Sequence, residues 1–291
     1  MPSDRPTLAI IGAGRVGRAL ARRLRQRGWR IGAVVTRSQK TARAAAFAIG
    51  AGRPQSQLDP AILAADVILI ATPDRSIAKV AAQLAQAVAR VFPPLFGGGP
   101  EGLKLAGKTI LHTNGALDRS VLQPLERLGA STGSLHPLQT FSARGVPPLD
   151  GCICVLEGTP AALRAARRIC RDLGCLPVVI APAAKPAYHA AGAFAAGHIL
   201  AVIEAATRVL VALGFSRREA VRALLPLTRQ TLANFERFGP HPSWTGPLAR
   251  GDFETVAKHT AALRRFPREY RQAYAVLSRL ALSVLRKGTR R

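Results

Sequence analysis

Residues 8–24, LAIIGAGRVGRALARRL, leave this chain few ways to begin folding. Leu8–Ile11 is a short apolar run and reads as a strand. Gly12-Ala13-Gly14-Arg15-Val16-Gly17 follows at once, and Val16, Leu20 and Leu24 then recur at helical spacing. Strand, glycine turn and helix in succession is the context in which a GxGxxG pattern holds a dinucleotide pyrophosphate. Gly12 permits the tight turn. Gly14 leaves room for a phosphate close to the backbone, and Gly17 lets the helix pack on the sheet. The free N–H groups at the helix start, around Arg15 and Val16, face the phosphates. The alternative is a structural turn that binds nothing.

The second strand, Arg30–Thr36, ends in Thr36-Arg37-Ser38. An acidic residue there would bind ribose hydroxyls, whereas Arg accommodates a 2′-phosphate. There is no acid, so NADP is expected in preference to NAD. Arg37 forks onto the phosphate, and Ser38 adds a bond or caps the helix expected over Gln39–Ile49. Asp66–Ala71 is a buried strand ending in Thr72-Pro73-Asp74. In a doubly wound sheet that loop lines the crevice, which makes these three cofactor-facing candidates.

Further strands are expected at 109–112, 131–135, 151–156 and 176–180, and helices at 75–90, 117–128 and 160–173. A Pro/Gly-rich excursion at 91–108 reads as a surface lid, and 53–60 as ill-defined. The total is roughly eight strands in a mostly parallel sheet, an α/β domain over residues 1–181. Asn114 and Gly115 suit a nicotinamide-side loop. His112 and His136 end strands of the same domain, and His136 is a candidate for touching substrate.

No convincing strand follows residue 181, so 182–291 reads as a second, all-helical domain. Tyr188–Leu213 is long and apolar enough to raise a membrane span. His189, His198, Glu204 and Arg208 interrupt it, and a buried central helix is the preferred reading. Ser216 and Glu219 form a capping box, and Pro226 is expected to interrupt the helix that follows. Lys185, Tyr188 and His189 are the reactive side chains where the sheet ends. They are the catalytic candidates, each able to donate a proton to a carbonyl or imine. His198, Asn234 and Arg250 are candidates for binding substrate, Arg250 through a carboxylate or phosphate.

The chain carries 42 Lys and Arg against 16 Asp and Glu, a formal charge of +26. The excess is spread over helices amid heavy Ala use, so a nucleic-acid partner is not expected. Small anionic ligands are. Cys152, Cys154, Cys170 and Cys175 fit no zinc spacing, and the histidines show neither HxH nor HExxH, so no metal is expected. Reduced cysteines and the lack of a secretory signal suggest the cytoplasm.

The opening loop, TPD at 72–74, HTNGALDRSVLQPL at 112–125, GSLHPLQTF at 133–141, KPAYHAAGAF at 185–194, PLTRQTLANF at 226–235 and TGPLARGD at 245–252 together resemble bacterial Rossmann-like proteins with a C-terminal DUF2520 domain. The resemblance covers nearly the whole chain. It implies an NAD(P)-binding domain related to pyrroline-5-carboxylate reductases and F420-dependent NADP reductases. It also implies a helical domain like that of 6-phosphogluconate dehydrogenase relatives, and homodimers formed through it. It supplies no substrate. His198 stands where that pattern carries Asn. The combined expectation is an NADP-dependent oxidoreductase acting on a small anionic carbonyl, hydroxyl or imine compound. The alternative is a dinucleotide-binding sensor or scaffold without turnover.

Overall fold

The computed structural model describes residues 5–91, 105–142 and 145–287. The excursion expected at 91–108 therefore lies, from 92 to 104, outside the described residues. Eight strands form one sheet among them: β1 (Thr7–Ile11), β2 (Arg30–Val35), β3 (Arg53–Gln55), β4 (Val67–Ile70), β5 (Thr109–His112), β6 (Ser131–Pro137), β7 (Ile153–Gly158) and β8 (Leu176–Val179). Their order is β3-β2-β1-β4-β5-β6-β7-β8. Pairing is parallel from β3 to β6 and again between β7 and β8, while β7 runs antiparallel to β6.

Successive strand residues face opposite sides, so a sheet covered on both faces needs apolar residues at every position. β1 shows this. Leu8 and Ile10 join one buried cluster with Leu20 and Leu24 of α1 (Arg15–Gln26) and Ile169 of α5 (Pro160–Leu173). Ala9 and Ile11 join another with Ile77, Ala81 and Leu84 of α3 (Ile77–Val91). Between them lie α2 (Gln39–Ile49) and α4 (Gln123–Glu126). Ser38 caps α2 by accepting the Thr41 N–H at 3.3 Å, as expected.

Three local readings change. Residues 53–55, read as ill-defined, pair with β2 as an edge strand. The helix expected at 117–128 is a 3-10 turn, Arg119–Leu122, followed by the four residues of α4. Asp118 caps Ser120 N, and Pro124 sits in the first turn of α4, where its missing N–H costs nothing. The chain after β8 forms α6 (Lys185–Ala193), a π-helical turn at Phe194–His198 and then α7 (Ile199–Ala212).

Contacts divide the chain into two compact units, 1–193 and 194–291. The second contains α7, α8 (Arg217–Phe238), the short α9 (Pro240–Ser243) and α10 (Pro247–Arg250), α11 (Phe253–Ala262) and α12 (Arg268–Lys287). The capping box of Ser216 and Glu219 is present. The break expected at Pro226 is not, since α8 runs through it. Nor is the long apolar segment a buried core helix: in α7 only Thr207 is buried, and Leu200 is 68% exposed.

Candidate active site

The glycine loop sits where β1 and β4 diverge to partners on opposite sides, the switch point of the sheet. Gly12 N–H donates to Val35 O at 2.8 Å. Its φ of +90° and the 2.6 Å that would separate a Cβ from Thr72 N both require glycine. A Cβ on Gly17 would lie 2.6 Å from Gly12 O. Gly14 differs, because a Cβ there would meet nothing within 4 Å. Its openness is space beside a helix N-terminus, the shape a pyrophosphate needs. Across the loop, Thr72 Oγ1 is buried without a hydrogen-bond partner. A buried orphan hydroxyl is costly, and a ligand oxygen in the crevice would satisfy it. Arg15 is exposed at the start of α1, Val16 packs against the core, and Pro73 and Asp74 border the crevice beyond Thr72.

After β2, the hydroxyls of Thr36, Ser38 and Thr41 bond to one another at 2.6–2.9 Å. This closes the loop and leaves Arg37 exposed. The first turn of α2 holds no acid and contains Lys40, a second cation that sequence reasoning did not single out.

The ends of β5 and β6 build the other half of the site with the first turns of α6. Lys185, Tyr188 and His189 fall at i, i+3 and i+4 and so share one helix face. Lys185 is fully buried. Its Nζ donates to Ser134 Oγ at 2.7 Å and to Asn114 O at 3.3 Å. Burial pulls its pKa below the ordinary lysine value, while Glu157 and Asp118 oppose the shift. Glu157 lies opposite Ser134 across the antiparallel pair and is 3% exposed. Its carboxylate accepts Arg119 N–H at 2.8 Å. Burial raises its pKa, and the Arg119 N–H and the Lys185 charge pull against that. Arg119 Nη1 also donates to both carboxylate oxygens of Glu126, at 2.6 and 2.7 Å. Neither Ser134 nor Glu157 stands out in sequence, because only β-pairing brings them to Lys185.

His136 Nδ1 and the Tyr188 hydroxyl are 2.6 Å apart. Burial, then the charges of His189 and Lys185, push His136 down to about 4, so it is neutral near pH 7. Burial raises the Tyr188 phenol. The tyrosine therefore donates and the imidazole accepts. His189 is exposed and meets His136 edge to face at 5.8 Å. Both rings crowd Gly115, where a Cβ would lie 2.6 Å from His189 Cδ2 and 2.9 Å from His136 Nε2. Asn114 Oδ1 accepts the N–H groups of Ala116 and Leu117, so its side chain holds the loop. His112 is fully buried, with Nε2 on Asp118 O at 3.1 Å and Nδ1 accepting Asn114 N–H at 3.2 Å.

The structure thus gathers Asn114, Gly115, His136, Lys185, Tyr188 and His189 in the first unit. His198, Asn234 and Arg250 belong to the second. His198 is exposed in the π-helical turn against Phe194 at 5.1 Å. Asn234 accepts from Gln230 at 2.8 Å, and Arg250 is exposed at the end of α10. All four cysteines are free thiols. Among the described residues no three His, Cys, Asp or Glu side chains are placed to hold a metal.

Residues 7–92 match the family model of coenzyme F420-dependent NADP oxidoreductases, and residues 152–281 match that of DUF2520, a domain of unknown function. No curated protein matches the chain significantly. Among solved structures, the fold is shared with a Bacteroides fragilis protein assigned as an NADP oxidoreductase, at 21% identity and TM-score 0.74, covering 96% of this chain and 98% of that one. A Thermotoga maritima protein is similar at 23% identity and TM-score 0.70, covering 97% and 100%. A reductive aminase of Aspergillus terreus, in complex with NADPH and ethyl-5-oxohexanoate, is similar at 18% identity and TM-score 0.67, covering 98% and 95%.

Proposed function

We propose that this chain, a Rossmann-type NAD(P)-binding protein with a C-terminal DUF2520 domain, is an NADP-dependent oxidoreductase acting on a small anionic carbonyl, hydroxyl or imine compound. Support for the cofactor comes from the open side of Gly14, the orphan Thr72 hydroxyl and the acid-free Arg37 loop. NADPH relatives in complex with that cofactor share the fold. When bound, the nicotinamide supplies or accepts the hydride.

The single observation that carries the enzymatic reading is Lys185. A buried ammonium is costly to desolvate, and perturbed buried charges gather at functional sites; this one bonds the backbone of the loop that carries Asn114 and Gly115. Its charge favours an anionic substrate and an oxyanion developing on a reduced carbonyl. Tyr188 and His136, locked together, orient the substrate. His189 is the exposed member of the helix face and donates the proton that accompanies the hydride.

NADPH oxidation followed by absorbance across small 2-oxo acids, aldehydes and cyclic imines tests this reading. Turnover with one of these classes, abolished in Lys185→Met and reduced in His189→Ala, is the expected result. Tight NADPH binding with no turnover on any class would leave the sensor reading in its place.

The protein also reads as a homodimer assembled through its helical unit. Leu200, Leu227, Phe194 and Phe235 are 56–68% exposed, more apolar surface than a lone chain of this size tolerates well. The segment Pro182–Ala212 is long and apolar enough to cross a bilayer. We read it as part of the subunit interface instead, because it carries Lys185 and the Glu204–Arg208 ion pair. Free thiols support a reducing, cytoplasmic setting.

A further inference from the structure

Thr132, Ser134 and His136 form a row on one face of β6, since alternate residues of a strand share a face. Thr132 and Ser134 are fully buried, and Ser134 takes the Lys185 ammonium at 2.7 Å. His136, the next step along the row, is half-buried. It stands near the end of the strand, where the core gives way to solvent. Pro137 follows and keeps its backbone extended.

A neutral imidazole has one nitrogen that donates and one that accepts, and the partner of the first fixes the role of the second. The His136 ring is uncharged at neutral pH, burial holding it at about 4. Its Nδ1 is 2.6 Å from the Tyr188 hydroxyl, and the two rings meet edge to face with centroids 5.5 Å apart. Among the described residues neither that hydroxyl nor Nε2 has another hydrogen-bond partner. A proton on Nδ1 would be spent on the phenol oxygen. The half-buried phenol O–H would then lack an acceptor, an unmade bond that costs free energy. A proton on Nε2 instead leaves Nδ1 to accept from the phenol, and the inner bond is made in full.

The remaining N–H has a direction. Nε2 and Cε1 are the ring atoms turned to Gly115, each 2.9 Å from the place a Cβ would take. Any side chain at 115 would close off Nε2, and glycine leaves it uncovered beside the loop expected at the nicotinamide. The charges of His189 and Lys185 act on the ring, and Asp74 opposes them more weakly. That balance favours an acceptor carrying negative charge.

We infer that His136 reads the ligand through Nε2–H, as a neutral donor to a carboxylate or carbonyl oxygen, and that Tyr188 is the positioning residue that keeps the proton on that nitrogen. Calling this ligand the substrate rests on the oxidoreductase reading; the tautomer does not. A ligand ammonium has only donors to offer and is refused.

The test uses the full-length protein with isotope-labelled histidine, read by proton–nitrogen NMR at neutral pH. The chain has six histidines, and the His136 signals are those absent from His136→Gln. Without any cofactor, Nε2 should carry the proton and Nδ1 should show the signature of a strong acceptor. In Tyr188→Phe the Nδ1 signal should lose that signature. Sodium pyruvate should move the Nε2 signal saturably, with or without NADP, and methylammonium chloride should not. Sodium propionate matching pyruvate would identify a carboxylate as the source of the oxygen. Acetone matching it, with propionate silent, would identify a carbonyl. Read at the neighbouring His189 ring, pyruvate should bind about fivefold or more weakly to His136→Asn, whose amide reaches only the place of Nδ1, than to His136→Gln, whose amide reaches that of Nε2. Thermal melts should show both variants folded. The inference is overturned if Nδ1 carries the proton in the parent, if methylammonium moves the signal as pyruvate does, if none of the oxygen probes moves it, or if the Asn and Gln variants bind pyruvate within about twofold of each other. Failure to turn over any carbonyl compound would overturn the oxidoreductase reading and leave the tautomer result standing.

Discussion

Replacing His112 with Gln should remove most of one acid-sensitive step in the stability of the first unit. His112 is fully buried at the end of β5 and bonds Asp118 O and Asn114 N–H. Burial, reinforced by the Lys185 charge, lowers its pKa from 6.5 to about 4, against opposing pulls from Asp118 and Asp74. The unfolded chain therefore takes up a proton near pH 6.5 while the folded chain resists until about 4. Protons favour unfolding in that window. The contribution is intact above pH 6.5 and is lost as pH falls towards 4. Integrating the linkage from pH 7 to pH 5 with these two values gives about 2 kcal/mol. Urea unfolding followed by Trp29 fluorescence in a Trp244→Phe background reads the first unit. The difference in unfolding free energy between pH 7 and pH 5 should be smaller by about 2 kcal/mol in His112→Gln than in its parent. Glu157, whose raised pKa acts in the opposite sense, is present in both proteins and cancels in the comparison. Equal pH differences in the two proteins would show that His112 does not titrate as its burial requires.

Three further outcomes follow from the site. Arg37→Ala should weaken NADP binding about 10- to 100-fold by calorimetry and leave NAD binding unchanged, because the lost charge-assisted bonds reach only the 2′-phosphate. Gly14→Ala should melt like the parent yet lose dinucleotide affinity, whereas Gly12→Ala, with φ +90° and Thr72 N at 2.6 Å from the new Cβ, should lose about 1–3 kcal/mol of stability. Lys185→Met strands the Ser134 hydroxyl and the Asn114 carbonyl and removes one charge acting on buried Glu157, and should destabilise by roughly 1–3 kcal/mol; Glu157→Gln in the same chain should restore part of that loss in denaturant titrations.

What could be read from sequence follows the distance over which each feature is encoded. The glycine loop, the Ser38 cap and the Ser216 capping box are each settled within a few residues, and all three fold as read. The shared face of Lys185, Tyr188 and His189 is equally local, since helical spacing alone aligns them. Burial of the long apolar segment was not legible. Apolar composition reports a need for cover, and the covering surface is not supplied within α7's own neighbourhood. Continuity of α8 through Pro226 was hidden because a proline weakens a helix by a finite amount, about 3 kcal/mol, that the favourable residues of a long helix can outweigh.

The partners of Lys185 depend on the one reversal in the sheet. β7 returns antiparallel to β6, and that register sets Ser134 opposite Glu157. The neighbouring pair in the same ladder is Gly133 and Gly158. A Cβ on Gly133 would sit 2.6 Å from Glu157 O, and one on Gly158 would sit 2.7 Å from Gly133 Cα. Two glycines face to face let the strands approach where no side chain would fit. On the same ladder Ser134 Oγ lies 2.7 Å from Lys185 Nζ, and the charge of the buried Glu157 carboxylate acts on the lysine. Each glycine taken alone looks like an ordinary weak point in a strand. Their meaning lies in being paired across a connection that no local pattern announces, so the charge of the site rests on the least readable contact in the fold.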